Sequence, residues 1–243
     1  MKLAEQTAVV TGGGSGIGLA IAESLAREGC RVLIAGRGQE RLAQAAAAYA
    51  GPGQLLTHVV DVANRVSVNE LFAAAIAQLG RIDILVQSAG VNIRNRTMAN
   101  MAPEDWDRVL AINATGAYNC LHAVLPQMLE RGAGLIVNIS SVAGKRASDL
   151  GGVAYSAAKF AQTALGTAVA REVGSRGVRV SNIYPGEVST PILNDRPQPV
   201  SEEHKSRILQ PEDVAAAVLM IATLPPRAHV AELLIKPVWQ EYS

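Results

Sequence analysis

The sequence predicts an α/β fold, a parallel sheet covered by helices on both faces in three layers (αβα), and three observations point to it. Short β-branched runs alternate with Ala-rich stretches of helical period along the whole chain. The runs are continuously apolar, as strands buried on both faces are, where a half-exposed strand would alternate. A glycine-rich turn joins the first run to the first helical stretch, the kind of connection a strand–helix–strand unit uses.

Strands are expected at 8–11 (Ala-Val-Val-Thr), 31–35, 55–60, 82–86, 135–139 and 178–183, each short and rich in Val, Ile and Leu. Between them, 17–27, 41–49, 66–79, 118–129 and 155–172 carry Ala and Leu at helical spacing. Residues 191–210 break this rhythm. They are polar, include Pro191, Pro197 and Pro199, and have no consistent period, so they are read as a long loop acting as a lid. The loop ends at Gln210-Pro211-Glu212-Asp213, where proline at the first helical position and acids in the first turn announce another helix. Residues 232–235 (Glu-Leu-Leu-Ile) read as a closing strand. With no linker, low-complexity tract or repeat, residues 1–243 are expected to form one domain, with the lid at about 191–210.

Composition excludes several classes. Apolar residues make up 49% of the 243, too many for a disordered chain. Net charge is +1 and aromatics are 4%, so neither a field for phosphate backbones nor a stacking platform for single strands is present, and neither nucleic acid nor membrane is expected as a partner. No apolar run approaches the about 20 residues a membrane span needs. Cys30 and Cys120 lie far apart and outside any metal spacing, and His58, His122, His204 and His229 share none, so no metal site is expected. The first six residues lead directly into an apolar run without a signal-like segment, which makes the cytoplasm the expected location.

The turn after the first strand is Thr11-Gly12-Gly13-Gly14-Ser15-Gly16-Ile17-Gly18. Glycines there allow positive φ and remove the Cβ atoms that would hold a pyrophosphate away from the helix N-terminus. Gly12, Ser15, Gly16, Ile17 and Gly18 are therefore candidate dinucleotide contacts. A dinucleotide site that prefers NAD carries an acid at the end of the second strand for the ribose 2′-hydroxyl. This chain has Ala35-Gly36-Arg37. A guanidinium suits a 2′-phosphate, so NADP is favoured and NAD is the alternative.

A second constellation is Tyr155-Ser156-Ala157-Ala158-Lys159 at the start of a helix, which puts phenol and ammonium on one face. The strand at 135–139 ends in Ser140-Ser141. In an open parallel sheet, strand carboxyl ends line the ligand crevice, so the serines, the Tyr/Lys pair and the glycine turn share one rim. A tyrosine titrates near 10, and a nearby cation is expected to lower it by about 2–3 units, toward working pH.

Together, Thr11-Gly12-x-x-x-Gly16-x-Gly18, Asp61-Val62, Ala89-Gly90, Asn113, Ser140-Ser141, Tyr155-x-x-x-Lys159 and Pro185-Gly186-x-Val188-x-Thr190 resemble the short-chain dehydrogenase/reductase family over nearly the whole chain. The resemblance implies a Rossmann-like, doubly wound sheet of about seven parallel strands and hydride transfer between NAD(P) and a ketone or aldehyde and its alcohol. It also implies a homotetramer or homodimer. Carried over by position, Tyr155 is the general acid/base, Ser141 holds the substrate oxygen, Lys159 bonds the nicotinamide ribose and lowers the tyrosine pKa, and Asn113 holds a water in the proton relay. Asp61 and Val62 flank adenine, Ala89 and Gly90 face the ribose, Val188 and Thr190 face the carboxamide, and Pro185 and Gly186 of the same motif also bind the cofactor. Gln87-Ser88 replaces the family's usual Asn-Asn, and the spacing from Ser141 to Tyr155 is one residue longer than the commonest form.

The competing function is a dinucleotide-binding regulatory or scaffold protein without turnover. Intact Asn113, Ser141, Tyr155 and Lys159 count against it. A sugar-nucleotide epimerase needs a longer C-terminal domain. Arg94 and Arg96 are read as a solvated loop, with attraction of a carboxylate or phosphoryl group as the alternative, and Glu187 as a loop acid.

Overall fold

A computed structural model describes residues 1–241. Seven strands, β1 (Thr7–Thr11), β2 (Arg31–Gly36), β3 (Gln54–Val59), β4 (Ile84–Gln87), β5 (Gly134–Ile139), β6 (Val178–Pro185) and β7 (Glu232–Ile235), form one sheet in the order β3-β2-β1-β4-β5-β6-β7. Every pairing is parallel. This is the Rossmann-like, doubly wound architecture. Strand order reverses between β1 and β4, where Thr11 lies opposite Gln87, and a crevice opens outside the carboxyl ends at such a reversal.

The continuous apolar runs are explained by two cores. Val10, Ile34, Val86 and Val137 point to one side, against α1 (Gly16–Arg27), α2 (Gln39–Ala48) and α8 (Pro211–Thr223). Their neighbours Val9, Leu33, Leu85 and Ile136 point to the other, against α3 (Arg65–Leu79), α5 (Gly116–Arg131) and α6 (Val153–Val173). Strand side chains alternate between faces, so a strand covered on both must be apolar at every position.

Two segments differ from expectation. The stretch before 118 is helical: α4 (Pro103–Leu110) runs through a π turn at Ala111–Thr115 into α5. Its start has Pro103 followed by Glu104 and Asp105, the same signature that announced α8, but only Val109 of α4 is buried, so it lacks an apolar stripe. The 191–210 segment is also not a plain loop. It holds a 3₁₀ turn at Pro191–Asp195 and a short helix, α7 (Glu202–Arg207), whose N-terminus is capped by the Ser201 hydroxyl accepting from the His204 amide. Its end is fastened to the chain after β6, with Ser189 N–H donating to Leu209 O and Leu209 N–H to Glu187 O.

Candidate active site

A cleft of about 890 Å³ runs along the carboxyl ends of the strands, and all the candidate catalytic and cofactor-binding residues except Asn113 line it. Asn113 lies one layer behind, within the π turn.

At one end sits the glycine turn. Gly12 has φ +69°, and a Cβ there would lie 2.8 Å from the Ser88 and Ala89 backbone. A Cβ on Gly18 would meet Gly12 O at 2.3 Å. The turn is therefore folded tightly onto α1, with only backbone between the cleft and the helix N-terminus. Ser15, in the N-cap position, makes no side-chain cap bond, and with Gly16 and Ile17 it lines the cleft. Beside the turn, the end of β2 presents exposed Arg37, and α2 adds Arg41. Asp61 and Val62 form the opposite wall, with the Asp61 carboxylate accepting from Ala63 N–H at 3.0 Å. No carboxylate stands at the end of β2, and two guanidiniums do. Backbone donors at a helix N-terminus and paired guanidiniums fit the pyrophosphate and 2′-phosphate of an NADP molecule.

Further along, Ala89 and Gly90 cross between β4 and Asn113. The Asn113 side chain clamps Val91 with both groups, its Oδ1 accepting from Val91 N–H at 2.8 Å and its Nδ2 donating to Val91 O at 2.9 Å. Gln87, in place of the usual asparagine, keeps a strand-end bond by donating to Ala117 O at 2.9 Å. Pro185 and Gly186 follow β6, Val188 bridges to Leu209, and Thr190 packs against Gly16.

The two serines are separated by their surroundings. Ser140 is buried and bonded to Thr163 Oγ1 at 3.0 Å and to Lys159 O. Ser141 is half-buried, and its Oγ accepts only from Ala143 N–H in the fold, which leaves its proton for a partner in the cleft. Tyr155 lines the same cleft, and the nearby Ser141 hydroxyl pulls its pKa down. Tyr155 and Lys159 share one face of α6, with the ammonium 5.7 Å from the phenol ring centroid.

Lys159 is committed to the fold. Its side chain is 4% exposed and its ammonium donates to Ile139 O and Gln162 Oε1, both at 2.8 Å. Burial disfavours that charge and brings the Lys159 pKa down to about 7. Burial likewise pushes Tyr155 up, opposed by the Ser141 hydroxyl and by the positive charge of Arg96.

Arg96 corrects one reading. Arg94 is exposed, as a solvated loop residue should be, but Arg96 is buried at 6%. Glu187 is also not a free loop acid: its side chain is 10% exposed and receives Arg196 at 3.0 Å and His204 at 2.8 Å.

A family model described as short chain dehydrogenase matches residues 6–200. The chain belongs to the short-chain dehydrogenase/reductase family. An uncharacterised oxidoreductase of Staphylococcus saprophyticus is 35% identical over 240 residues, 98% of this chain and 100% of its own. Serine dehydrogenase in its closed form with NADP+ superposes with a TM-score of 0.90 at 32% identity, over 98% of this chain and 97% of that one. An alcohol dehydrogenase from the archaeon Thermococcus sibiricus, complexed with 5-hydroxy-NADP, gives 0.87 at 28% identity, over 97% and 98%. As a member of this family the chain is an oxidoreductase.

For this short-chain dehydrogenase/reductase, sequence reading did not find Arg41, Gln162 or the Glu187–Arg196–His204 cluster. Arg41 carried a signal: it follows Arg37 by one helical step, which places two cations at one corner. The others are joined by contacts distant in sequence, and no local spacing marks them.

Proposed function

We propose that this chain is an NADP(H)-preferring carbonyl reductase or alcohol dehydrogenase, with Tyr155 as the proton carrier. The supporting observation is that Ser141, Tyr155 and Lys159 line the same cleft whose far end holds the glycine turn and Arg37. NADPH, when bound, supplies the hydride. Gly12, Ser15, Gly16, Ile17 and Gly18 would hold its pyrophosphate, Arg37 and Arg41 its 2′-phosphate, Asp61 and Val62 the adenine, Ala89, Gly90 and Lys159 the ribose, and Pro185 to Thr190 the nicotinamide.

The chain's own groups do the rest. Ser141 and Tyr155 donate to the substrate oxygen as negative charge gathers there. Burial keeps Tyr155 protonated at neutral pH, the state an acid for carbonyl reduction needs. Lys159, titrating at about 7, is able to pass a proton toward that phenol. The Asn113 side chain is committed to Val91, so the main chain of the π turn is the part that would hold a relay water. Residues 191–210 would form a lid that excludes water, fastened at one end by Glu187 to Arg196 and His204. Exposed Tyr118, Val153 and Phe160 on α5 and α6 support the expected homotetramer or homodimer.

A panel of ketones and aldehydes, followed by loss of NADPH absorbance, tests this reading. Turnover of at least one is expected. NADPH binding with no turnover on any would favour the dinucleotide-binding regulator instead.

A further inference from the structure

Arg96 is the most buried arginine lining the cleft, and it is held in an uncommon way. Nε–H donates to Ile93 O at 2.9 Å, Nη1 to Leu150 O at 2.6 Å and Nη2 to Asp195 O at 2.6 Å. These three carbonyls come from the loop after β4, the loop before α6 and the 3₁₀ turn of the 191–210 segment. A guanidinium has five N–H donors, so one remains on each terminal nitrogen. Of the other charges around it, Asp195 favours the guanidinium's charge and Arg196 opposes it. Asp195 is exposed and makes no ion pair with it among the described residues. Arg196, the second cation nearby, is paired with Glu187. Buried charges are normally paired, and a guanidinium that lines a cleft with two N–H groups uncommitted matches a carboxylate in size and charge.

The position of this cation relative to the reacting groups gives it a use. Arg96 stands close enough to Tyr155 for its charge to favour the phenolate, and its own carbonyl accepts from Val153 N–H in the first turn of the helix that carries Tyr155. An anionic group seated on Arg96 would therefore share the cleft with a substrate oxygen held by Tyr155 and Ser141.

We propose that Arg96 is a specificity residue that binds the carboxylate of the substrate, and that the substrate is a short hydroxy acid or the corresponding keto acid. This rests on the carbonyl/alcohol reading above. A carboxylate would complete the pairing of the buried guanidinium and, through Asp195 O, draw the 191–210 segment onto the occupied site. Arg94, which is exposed and donates only weakly to Asn194 O at 3.4 Å, is not part of the device.

The test compares lactate and 3-hydroxybutyrate with their methyl esters as substrates for NADP+ reduction by the full chain. At least one acid is expected to exceed its ester by at least tenfold in kcat/KM, in line with a charge-assisted, bidentate contact. In Arg96→Gln the acid should lose at least tenfold more than the ester, so that the ratio collapses; Arg96→Lys, keeping the charge without the fork, should lie between. A purely structural clamp would lower both alike and leave the ratio unchanged, which overturns the proposal. Should the variants fail to fold, the wild type still decides. Propionate is expected to compete with the carbonyl substrate found in the panel, and absence of competition, or an ester preferred to its acid, refutes the carboxylate site. Turnover of neutral carbonyls alone would refute it while sparing the reductase reading; turnover of no carbonyl or alcohol at all would remove both.

Discussion

The two ends of the cleft are built differently. The nucleotide end comes from the first 62 residues, mostly as backbone: a strand, a tight turn, a helix N-terminus and two guanidiniums at the next strand's end. The other end is assembled from side chains far apart in sequence, such as Arg96 with Asp195, 99 residues on, and Glu187 with His204. Backbone sites tolerate little change and recognise what every substrate shares, whereas long-range side-chain clusters set which substrate is taken.

That difference can be broken by mutation. Gly12→Val, placing a branched side chain where even a Cβ lies 2.8 Å from Ser88 and Ala89, should abolish NADPH binding measured by fluorescence, and with it all turnover. Retained binding would show that the tight turn is not needed. Arg37→Ala removes charge-assisted bonds without touching the turn. NADPH affinity should fall about 10- to 100-fold and NADH affinity hardly at all. Equal losses would remove the 2′-phosphate argument.

At the other end, the pH profile tests what sets Tyr155. Burial raises its pKa, so alcohol oxidation, which needs the phenolate, should rise about tenfold per pH unit from neutrality into the alkaline range. An oxidation rate already level at neutral pH would mean that bound cofactor lowers the phenol far more than the free protein's own groups do. The smallest effect is expected from Glu187→Gln, which weakens the fastening of the 191–210 segment. KM should rise about 3- to 10-fold with kcat nearly unchanged.

The same contrast explains how much was legible in the sequence. All seven strands and the glycine turn were readable because burial on two faces and positive φ leave local marks. Tyr155 and Lys159 were readable as a pair because helical spacing brings them together. Their electrostatics were not. That Lys159 turns to Ile139 O and Gln162, and that Arg96 stands near enough for its charge to favour the phenolate, depends on how α6 packs on β5 and the loop after β4. Arg96 itself looked solvated because polar neighbours such as Asn92, Arg94 and Asn95 surround it in sequence. Its burial comes from Leu150 and Asp195, which fold over it from elsewhere. The helix α4 escaped because its capping signal stands without an apolar face.

The proton-carrier role of Tyr155 is tested most directly by Tyr155→Phe, a change that removes one hydroxyl and keeps the ring. With the carbonyl that the wild type reduces fastest, turnover should fall by about 100- to 10,000-fold while NADPH binds within about threefold of wild type. Turnover near the wild-type rate, with NADPH bound equally well, would contradict the account.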